Sequence, residues 1–338
     1  MKILYEEYER VGFIAETLND LQALFSVIRE GDMIKSKTIR KIKVNETEAE
    51  RKLVTVKIRA EKIELVSDVP KLRVLGKIVE CDDPQVQLQS HHSIDLELHR
   101  QFEIEKEHWN KIDILSIKRA IEQSRKVLFT VILIDDEKAI CAEVSPRGYS
   151  IKAEFSSNAS KRSDDYEKAK ASYIQRIINY LKNCKINPPL IVAGPGFTKE
   201  KLLDSVKNEL KLHCILETVG YANETGLAEL MSSEKVMSLV KDYWFSEQEK
   251  MVNSFIAHLV SGKEDVTYGL ENVQKATDYR AVSALIVHEH LLRNKEVRDL
   301  VDKNIDMQAQ VTVVSSESDA GAKFKSFGIA AFTKFKIE

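Results

Sequence analysis

Two closely spaced glycines, Gly194 and Gly196, raise the first chemical question, because glycine-rich turns before helices can bind phosphate groups. They lie in the stretch AGPGFTKE, residues 193–200, after an apolar run and before an amphipathic segment. A P-loop ends in Gly-Lys-Ser/Thr, whereas Lys199 follows Thr198 here. A dinucleotide-binding fingerprint requires a third glycine at position 199. Both templates fail, so the turn is not predicted to bind a nucleotide.

The same turn carries an aromatic residue. Pro195 restricts the backbone, Gly196 permits an unusual backbone angle, and Phe197 follows them. An aromatic side chain on a rigid turn is typical of a protein-docking anchor. The alternative is that Phe197 packs back onto its own helix, and the local sequence does not separate the two interpretations.

A run of cations marks the stretch GDMIKSKTIRKIKV, residues 31–44. Five cations occur within nine positions: Lys35, Lys37, Arg40, Lys41 and Lys43. Two more follow shortly afterwards: Arg51 and Lys52. Such a cluster on a β-rich domain suits the phosphate backbone of RNA. The alternative is a solvated strand face, because Glu46, Glu48 and Glu50 dilute the charge.

A smaller basic pair, Lys161 and Arg162, lies in the polar segment 156–165. Taken alone, this segment is interpreted as an exposed loop that is basic by chance.

Acid–base and metal chemistry has few candidates. Three clusters combine histidine or acidic side chains: residues 91–99, 135–137 and 288–290. In a strand, His92 would lie on the face opposite Asp95 and Glu97. The order His-Glu-His at 288–290 is not the His-Glu-x-x-His of a zinc protease, and residues 135–137 predict a hairpin turn. The sequence therefore identifies no catalytic residue, and any metal ligands stay unknown.

Composition limits the class of protein. A chain of 338 residues is expected to form two or three domains. The net charge of −2 requires any nucleic-acid-binding surface to be local. The four cysteines form no Cys-x-x-Cys pair, which indicates free thiols in a reducing compartment. The acidic N-terminus and the lack of a long apolar run predict a soluble, intracellular protein.

Periodicity in the first third of the chain predicts a β-domain. Apolar and polar residues alternate over 54–60, and strand-like runs follow at 62–66, 72–75 and 93–98. One helical face interrupts the strands: Leu21, Leu24, Phe25 and Ile28, with Asn19 or Asp20 as the cap and Gly31 as the end. Many short strands with one helix predict a small, curved β-barrel. The charge-rich residues 101–126 predict a connecting helix or linker.

The remaining chain alternates strand and helix patterns. Central strands are predicted at 127–134, 139–144, 190–193 and 214–216, with helices around 173–181 and at 198–210. A charged helix is predicted at 233–262. The last third predicts helices at 270–278 and 294–303, with strands at 282–287, 310–315 and from 328. These patterns indicate a central α/β domain and a C-terminal three-layer α/β sandwich.

The chain as a whole resembles the Pelota family of archaeal and eukaryotic ribosome-rescue factors, and it looks like an archaeal member. The stretches that carry the resemblance are GDMIKSKTIRKIKV at 31–44, HSIDLELHRQFEIEKEHW at 92–109, AGPGFTKE at 193–200, YGLENVQKATDYRAVSALIVHEHLLR at 268–293 and SSESDAGAKFKSFGIAAF at 315–332. The resemblance implies an Sm-like β-barrel with linker at 1–126. It further implies a central RNase H-like α/β domain at 127–242 and, at 243–338, an α/β sandwich similar to kink-turn RNA-binding ribosomal proteins.

The resemblance also implies partners. A factor of this family enters the A site of a stalled ribosome as a mimic of tRNA or of a release factor, and its barrel contacts rRNA and mRNA. The implied RNA-binding residues are Lys35, Lys37, Arg40, Lys41, Arg51 and Lys52. An elongation factor 1-alpha-like GTPase would dock at Pro195, Gly196 and Phe197, with Lys161 and Arg162 as the remainder of a second motif. An ABC-type ATPase would split the subunits, and a cytoplasmic monomer without membrane contact is expected.

Peptide release is not expected. The related class-1 termination factor hydrolyses peptidyl-tRNA with a Gly-Gly-Gln loop, whereas this sequence contains no Gly-Gly pair. The resemblance therefore implies ribosome dissociation and mRNA decay without peptide release, and no cofactor. The alternative function implied for the family is an endoribonuclease that depends on a divalent metal cation and cleaves mRNA in stalled ribosomes.

Overall fold

The structure is a computed structural model that describes residues 1–43, 49–66, 69–157 and 166–337, without the side chains of 41–43, 49–50 and 241–244. The chain forms two compact units, Met1–Glu122 with Phe245–Glu338, and Gln123–Trp244. Each unit has hydrophobic cores of its own. The predicted division into three domains, with boundaries after residues 126 and 242, stays a prediction.

The N-terminal sheet is antiparallel and has seven strands in the spatial order β1-β2-β7-β3-β4-β5-β6. The strands are β1 (Lys2–Glu6), β2 (Arg10–Ile14), β3 (Met33–Lys43), β4 (Ala49–Val66), β5 (Lys71–Cys81), β6 (His91–Glu97) and β7 (Gln101–Glu105). The predicted runs at 54–60 and 62–66 are one continuous strand, β4. Its alternate residues Val54, Val56 and Ile58 are buried against helix α1 (Leu18–Val27).

Three local predictions in this region are wrong. Thr17 caps helix α1, because its hydroxyl accepts a bond from the Asp20 amide and the Asp20 carboxylate accepts one from the Thr17 amide at 3.0 Å. The helix ends at Val27, before Gly31. Residues 101–105 form strand β7, so only the second part of the predicted linker is helical, as α2 (Lys111–Arg125).

The central sheet has the order β10-β9-β8-β11-β12, with β8, β11 and β12 parallel. The strands are β8 (Phe129–Ile134), β9 (Lys138–Ser145), β10 (Gly148–Ser156), β11 (Leu190–Ala193) and β12 (Cys214–Glu217). Its helices are α3 (Tyr166–Asn183), α4 (Thr198–Leu210) and α5 (Glu224–Met231). Every residue of β8 is buried, because separate cores lie on the two faces of the sheet.

The C-terminal sheet has the order β13-β16-β14-β15. After helix α6 (Glu234–Val260) come β13 (Val266–Tyr268), α7 (Leu270–Asp278), β14 (Val282–His288), a 3₁₀ turn, α8 (Lys295–Asp306), β15 (Gln310–Val314), α9 (Asp319–Phe324) and β16 (Ile329–Thr333). Helices α7 and α8 cover one face of the sheet. Phe255 of α6 and Phe324 of α9 cover the other, which confirms the predicted three-layer sandwich.

No helix within the described ranges is both long enough and apolar enough to cross a membrane.

Candidate functional site

The cations of β3 and β4 divide between the two faces of the N-terminal sheet. Antiparallel partners share a face, and the outer face carries the pairs Lys35–Lys57, Lys37–Thr55, Ile39–Leu53 and Lys41–Arg51. Val54 and Val56, the alternate residues of β4, are buried. Lys37 and Arg51 are exposed, and Lys35 is half-buried. We call Lys35, Lys37 and Arg51 the cationic face.

Arg40 and Lys52 lie opposite each other on the other side of the same two strands. Arg40 Nη2 donates to Ser90 Oγ at 2.9 Å, and Lys52 forms an ion pair with Asp83. Burial and the positive charge of Arg40 lower the pKa of His92, so this imidazole is neutral near pH 7. These two cations already have partners in the segment between β5 and β6, whereas the cationic face points outward.

The other predicted binding residues are Lys41, Lys161 and Arg162. Lys41 belongs to the outer face through its register with Arg51, but its side chain is not described. Lys161 and Arg162 lie outside the described residues, and their proposed role in binding stays a prediction.

The Pro-Gly-Phe turn joins the carboxyl end of β11 to helix α4 and presents its aromatic ring to solvent. Gly196 has φ +66°, a left-handed conformation that favours glycine, and Phe197 follows as the residue before the helix. The Phe197 side chain is 79% exposed. The interpretation that Phe197 packs back onto its own helix is therefore wrong, and the ring is available to a partner.

A buried lysine holds this turn in place. Lys199 is only 5% exposed, and its ammonium group donates to the carbonyl of Gly194 and to the hydroxyl of Thr218, both at 2.8 Å. The Gly194 carbonyl lies in the turn, and Thr218 follows strand β12. The residue that excludes a dinucleotide fingerprint therefore ties the aromatic turn to the central sheet.

A second set of bonds fixes the start of helix α4. The Asp136 carboxylate accepts a bond from the Thr198 hydroxyl and one from the Lys170 ammonium group at 2.8 Å. Burial is the largest single influence on the pKa of Lys170 and lowers it, but the hydrogen bond to Asp136 and the charge of that carboxylate, together with Tyr166, outweigh it and raise the pKa. Asp136, Lys170 and Phe197 line the same surface cavity of about 480 Å³. The Phe197 ring thus projects from a turn that is held in place by these hydrogen bonds.

Substitution of Lys199 by methionine is expected to lower the free energy of unfolding of the protein by about 1–3 kcal/mol, because the buried carbonyl of Gly194 and the hydroxyl of Thr218 lose their donor. Urea denaturation followed by circular dichroism measures the change. Lys201→Met, a nearby exposed position on the same helix, is the matched control and is expected to change stability by less than about 0.5 kcal/mol. Equal stability of both variants would show that the ammonium group does not hold the turn.

The other clusters suggested by the sequence form no described metal site. Residues 135–137 make the predicted hairpin turn, in which the Asp135 amide donates to the Lys138 carbonyl at 2.9 Å. His290 Nε2 lies 3.0 Å from the Ser316 hydroxyl, and its ring stacks on His288. Within the described ranges, no three His, Cys, Asp or Glu side chains are placed to hold a metal ion.

Several residues near these surfaces were not predicted from the sequence. Lys199 was considered only as the residue that excludes two nucleotide-binding motifs, and Asp136 was assigned only to a hairpin. Tyr5 and Arg100 lie on the outer face beside Lys35 and Lys37 and line one groove with them. No local pattern signals this neighbourhood, because it depends on the order of distant strands.

Comparisons with known proteins agree with this architecture. Residues 1–121 match the model of the Pelota N-terminal domain, and residues 245–337 match that of eRF1 domain 3. The protein pelota homolog of Methanocaldococcus jannaschii is 30% identical to this chain over 353 aligned residues. The alignment covers 100% of both chains. The matches define a relative of translation termination factors. The chain belongs to the Pelota family.

Two solved structures share the fold over the whole chain. The crystal structure of Archaeoglobus fulgidus Pelota is 24% identical in sequence and superposes with a TM-score of 0.63. The match covers 100% of this chain and 99% of the Archaeoglobus chain. A second is described as a model of ribosome-bound archaeal Pelota and ABCE1. It is 28% identical, has a TM-score of 0.58 and covers 100% of both chains. The predicted mixed architecture, with an N-terminal sheet domain and two α/β regions, is confirmed.

Proposed function

We propose that this protein is a ribosome rescue and mRNA surveillance factor that enters the A site of stalled ribosomes as a mimic of tRNA or of a release factor. The observation that carries the proposal is similarity over the full length of both chains to a ribosome-bound archaeal Pelota. The protein would promote ribosome dissociation without peptide release and would act in the cytoplasm, where ribosomes translate.

The cationic face is the proposed ribosome contact. Lys35, Lys37 and Arg51 lie on one outward surface, so their charges can pair with successive phosphates of rRNA or mRNA. Lys41 joins them by register. Arg40 and Lys52 were assigned the same role from the sequence, but their bonds to Ser90 and Asp83 favour a supporting role within the sheet.

The Pro-Gly-Phe turn is the proposed docking site of an elongation factor 1-alpha-like GTPase. Phe197 is an exposed aromatic side chain on a turn that is held by hydrogen bonds. Such a residue suits the centre of a protein interface, where a few aromatic side chains that become buried on binding supply most of the affinity. Lys161 and Arg162 are proposed to extend this site. GTP hydrolysis then belongs to the partner, and this chain acts as an adaptor.

An ABC-type ATPase is the second proposed partner. The ribosome-bound relative was determined together with ABCE1, and this chain aligns with that relative along its whole length. In this proposal the ATPase performs the work of subunit separation. The endoribonuclease alternative gains no support, because no described group of acidic, histidine or cysteine side chains offers a metal site.

Subunit splitting tests the proposal directly. Stalled archaeal ribosomes are incubated with the full-length chain, the GTPase and the ATPase, together and with each omitted, and are separated on sucrose gradients. Free subunits are expected to accumulate when the chain and the ATPase are both present, and faster with the GTPase. The same level of subunits with and without the chain would overturn the proposed function.

A further inference from the structure

A groove of about 640 Å³ crosses the outer surface of the N-terminal sheet, between β1, β7 and β3. Its charged lining consists of three cations, Lys35, Lys37 and Arg100, and one acid, Glu103. Glu103 is almost completely buried and accepts a hydrogen bond from the Tyr5 hydroxyl. Arg100 also pairs with Glu97 at 2.8 Å, but its side chain remains 63% exposed. With Lys35 and Lys37 the net charge that the groove presents to a ligand is still positive.

Tyr5 forms a flat aromatic platform at one side of this groove. Its antiparallel partner on β2 is Gly12, and a Cβ atom at that position would lie 2.5–2.9 Å from three atoms of the Tyr5 ring. The missing side chain at Gly12 thus lets the ring rest on the strand. The side chain of Tyr5 is still 42% exposed, so the surface turned away from Gly12 is open to a planar ligand.

The hydroxyl of Tyr5 fixes the orientation of the ring. Burial, followed by the bond to Glu103, raises the pKa of Tyr5 to about 12, so the hydroxyl stays protonated and donates to the carboxylate. A ring held at both its face and its hydroxyl loses little conformational entropy when a ligand stacks on it.

An exposed aliphatic pair lies at the other side of the groove. Ile39 and Leu53 are cross-strand partners on β3 and β4, and they are 64% and 63% exposed. Lys37 precedes them on the same face. An aromatic platform, cations at intervals and exposed apolar side chains together match the chemistry of single-stranded RNA, which offers base faces, phosphates and ribose.

We propose that this groove binds single-stranded RNA, with one base stacked on Tyr5 and the adjacent phosphates bound by Lys35, Lys37 and Arg100. The assignment rests on the proposed function, since it identifies the RNA contact made by part of the cationic face. An RNA duplex is excluded as the ligand, because its bases are already stacked on one another and cannot reach the ring. Tyr5 and Arg100 are thereby assigned to binding.

The test measures the affinity of the full chain for a fluorescein-labelled oligouridylate by fluorescence anisotropy. Tyr5→Ala is expected to weaken binding by about tenfold, in the range found for the loss of one base–aromatic stack. Tyr5→Phe keeps the ring and is expected to retain most of the affinity. Tyr8→Ala is the matched control, because Tyr8 is a 94% exposed aromatic outside the groove, and it is expected to bind like wild type.

A photo-crosslink locates the contact. Oligonucleotides containing 4-thiouridine are expected to crosslink to the peptide that contains Tyr5 in wild type, and less after Arg100→Gln. Thermal unfolding of each variant ensures that only folded protein is compared. Equal affinities of Tyr5→Ala and wild type, equal losses in Tyr5→Ala and Tyr8→Ala, or no binding of the oligonucleotide by wild type would each overturn the RNA groove.

Ribosome binding by the same variants separates this inference from the proposed function. If wild type binds ribosomes but Tyr5→Ala has unchanged oligonucleotide affinity, the groove assignment fails and the rescue function stands. If Tyr5→Ala loses ribosome binding alone, the groove contacts a ribosomal protein, and the RNA assignment is overturned. Failure of wild type to bind ribosomes contradicts the proposed function itself.

Discussion

Replacement of Lys35, Lys37 and Arg51 together by glutamine is expected to weaken ribosome binding and to make it less sensitive to salt. Each phosphate contact that is lost lowers the slope of log affinity against log salt concentration by about 0.7–0.9, so three contacts change it by about two to three. Co-sedimentation with ribosomes across a potassium chloride series measures both the affinity and the slope. All three side chains point outward, so stability is expected to change little.

Two control variants separate a specific contact by the cationic face from a general effect of lost positive charge. A triple variant of exposed lysines elsewhere, Lys62→Gln, Lys77→Gln and Lys182→Gln, removes the same net charge and is expected to keep the wild-type slope. Arg40→Gln with Lys52→Gln tests the opposite face of the same strands, and a smaller effect is expected. Equal slopes for the cationic-face variant and the distant lysine variant would refute a specific contact.

The division of these cations between two faces could not be read from their spacing alone. Alternation in β3 separates Lys35 and Lys37 from Arg40, but the place of Arg51 and Lys52 depends on how β4 pairs with β3. That register depends on which residues of β4 are buried, Val54, Val56 and Ile58. The sequence predicted a basic RNA-binding segment, and the fold determines which members of it can act together.

Elements with strong periodicity and clear ends were predicted well. Helices α4 and α7 have the predicted bounds, and strand β11 lies where its apolar run indicated. Strand β10 was missed because it is a sheet edge with alternating exposure and many polar residues, and so has no apolar run. Strand β7 was assigned to a linker because its outward glutamates outweighed the inward Phe102 and Ile104.

Residues whose roles depend on contacts with distant parts of the chain could not be predicted from the sequence. The Tyr5 hydroxyl on β1 meets Glu103 on β7 across 98 positions of the chain, and strand β2 lies between these two strands in the sheet. Lys199 satisfies a carbonyl and a hydroxyl that come together only when β11 and β12 pair. Local patterns report burial along one element, whereas these contacts require the order of the strands.

The cationic face and the Pro-Gly-Phe turn are proposed to bind different partners, the ribosome and the GTPase. The cationic face presents mobile charges that can follow a phosphate backbone, which suits long-range attraction to the ribosome. The aromatic turn presents one ring on a backbone fixed by Gly196, Lys199 and Asp136, which suits a specific protein contact. Salt should therefore affect ribosome binding strongly and GTPase binding at the turn weakly.

Substitution of Phe197 by alanine is expected to weaken binding of the GTPase by about thirtyfold, equivalent to about 2 kcal/mol, which is typical of an aromatic anchor at the centre of an interface. The ring is 79% exposed in the free chain, so its removal leaves no cavity and the free energy of unfolding is expected to change by less than about 0.5 kcal/mol. Isothermal titration calorimetry with the GTPase, loaded with a non-hydrolysable GTP analogue, measures the affinity.

Tyr221→Ala is the matched control for Phe197→Ala, because Tyr221 is also an exposed aromatic residue of the unit Gln123–Trp244 and does not line the cavity at the turn. It is expected to bind the GTPase like wild type. Ribosome co-sedimentation without the GTPase is expected to be unchanged for both variants, because neither alters the cationic face. Unchanged GTPase affinity in Phe197→Ala would remove the docking role of the turn, since a ring buried at the partner surface cannot be deleted without loss of affinity.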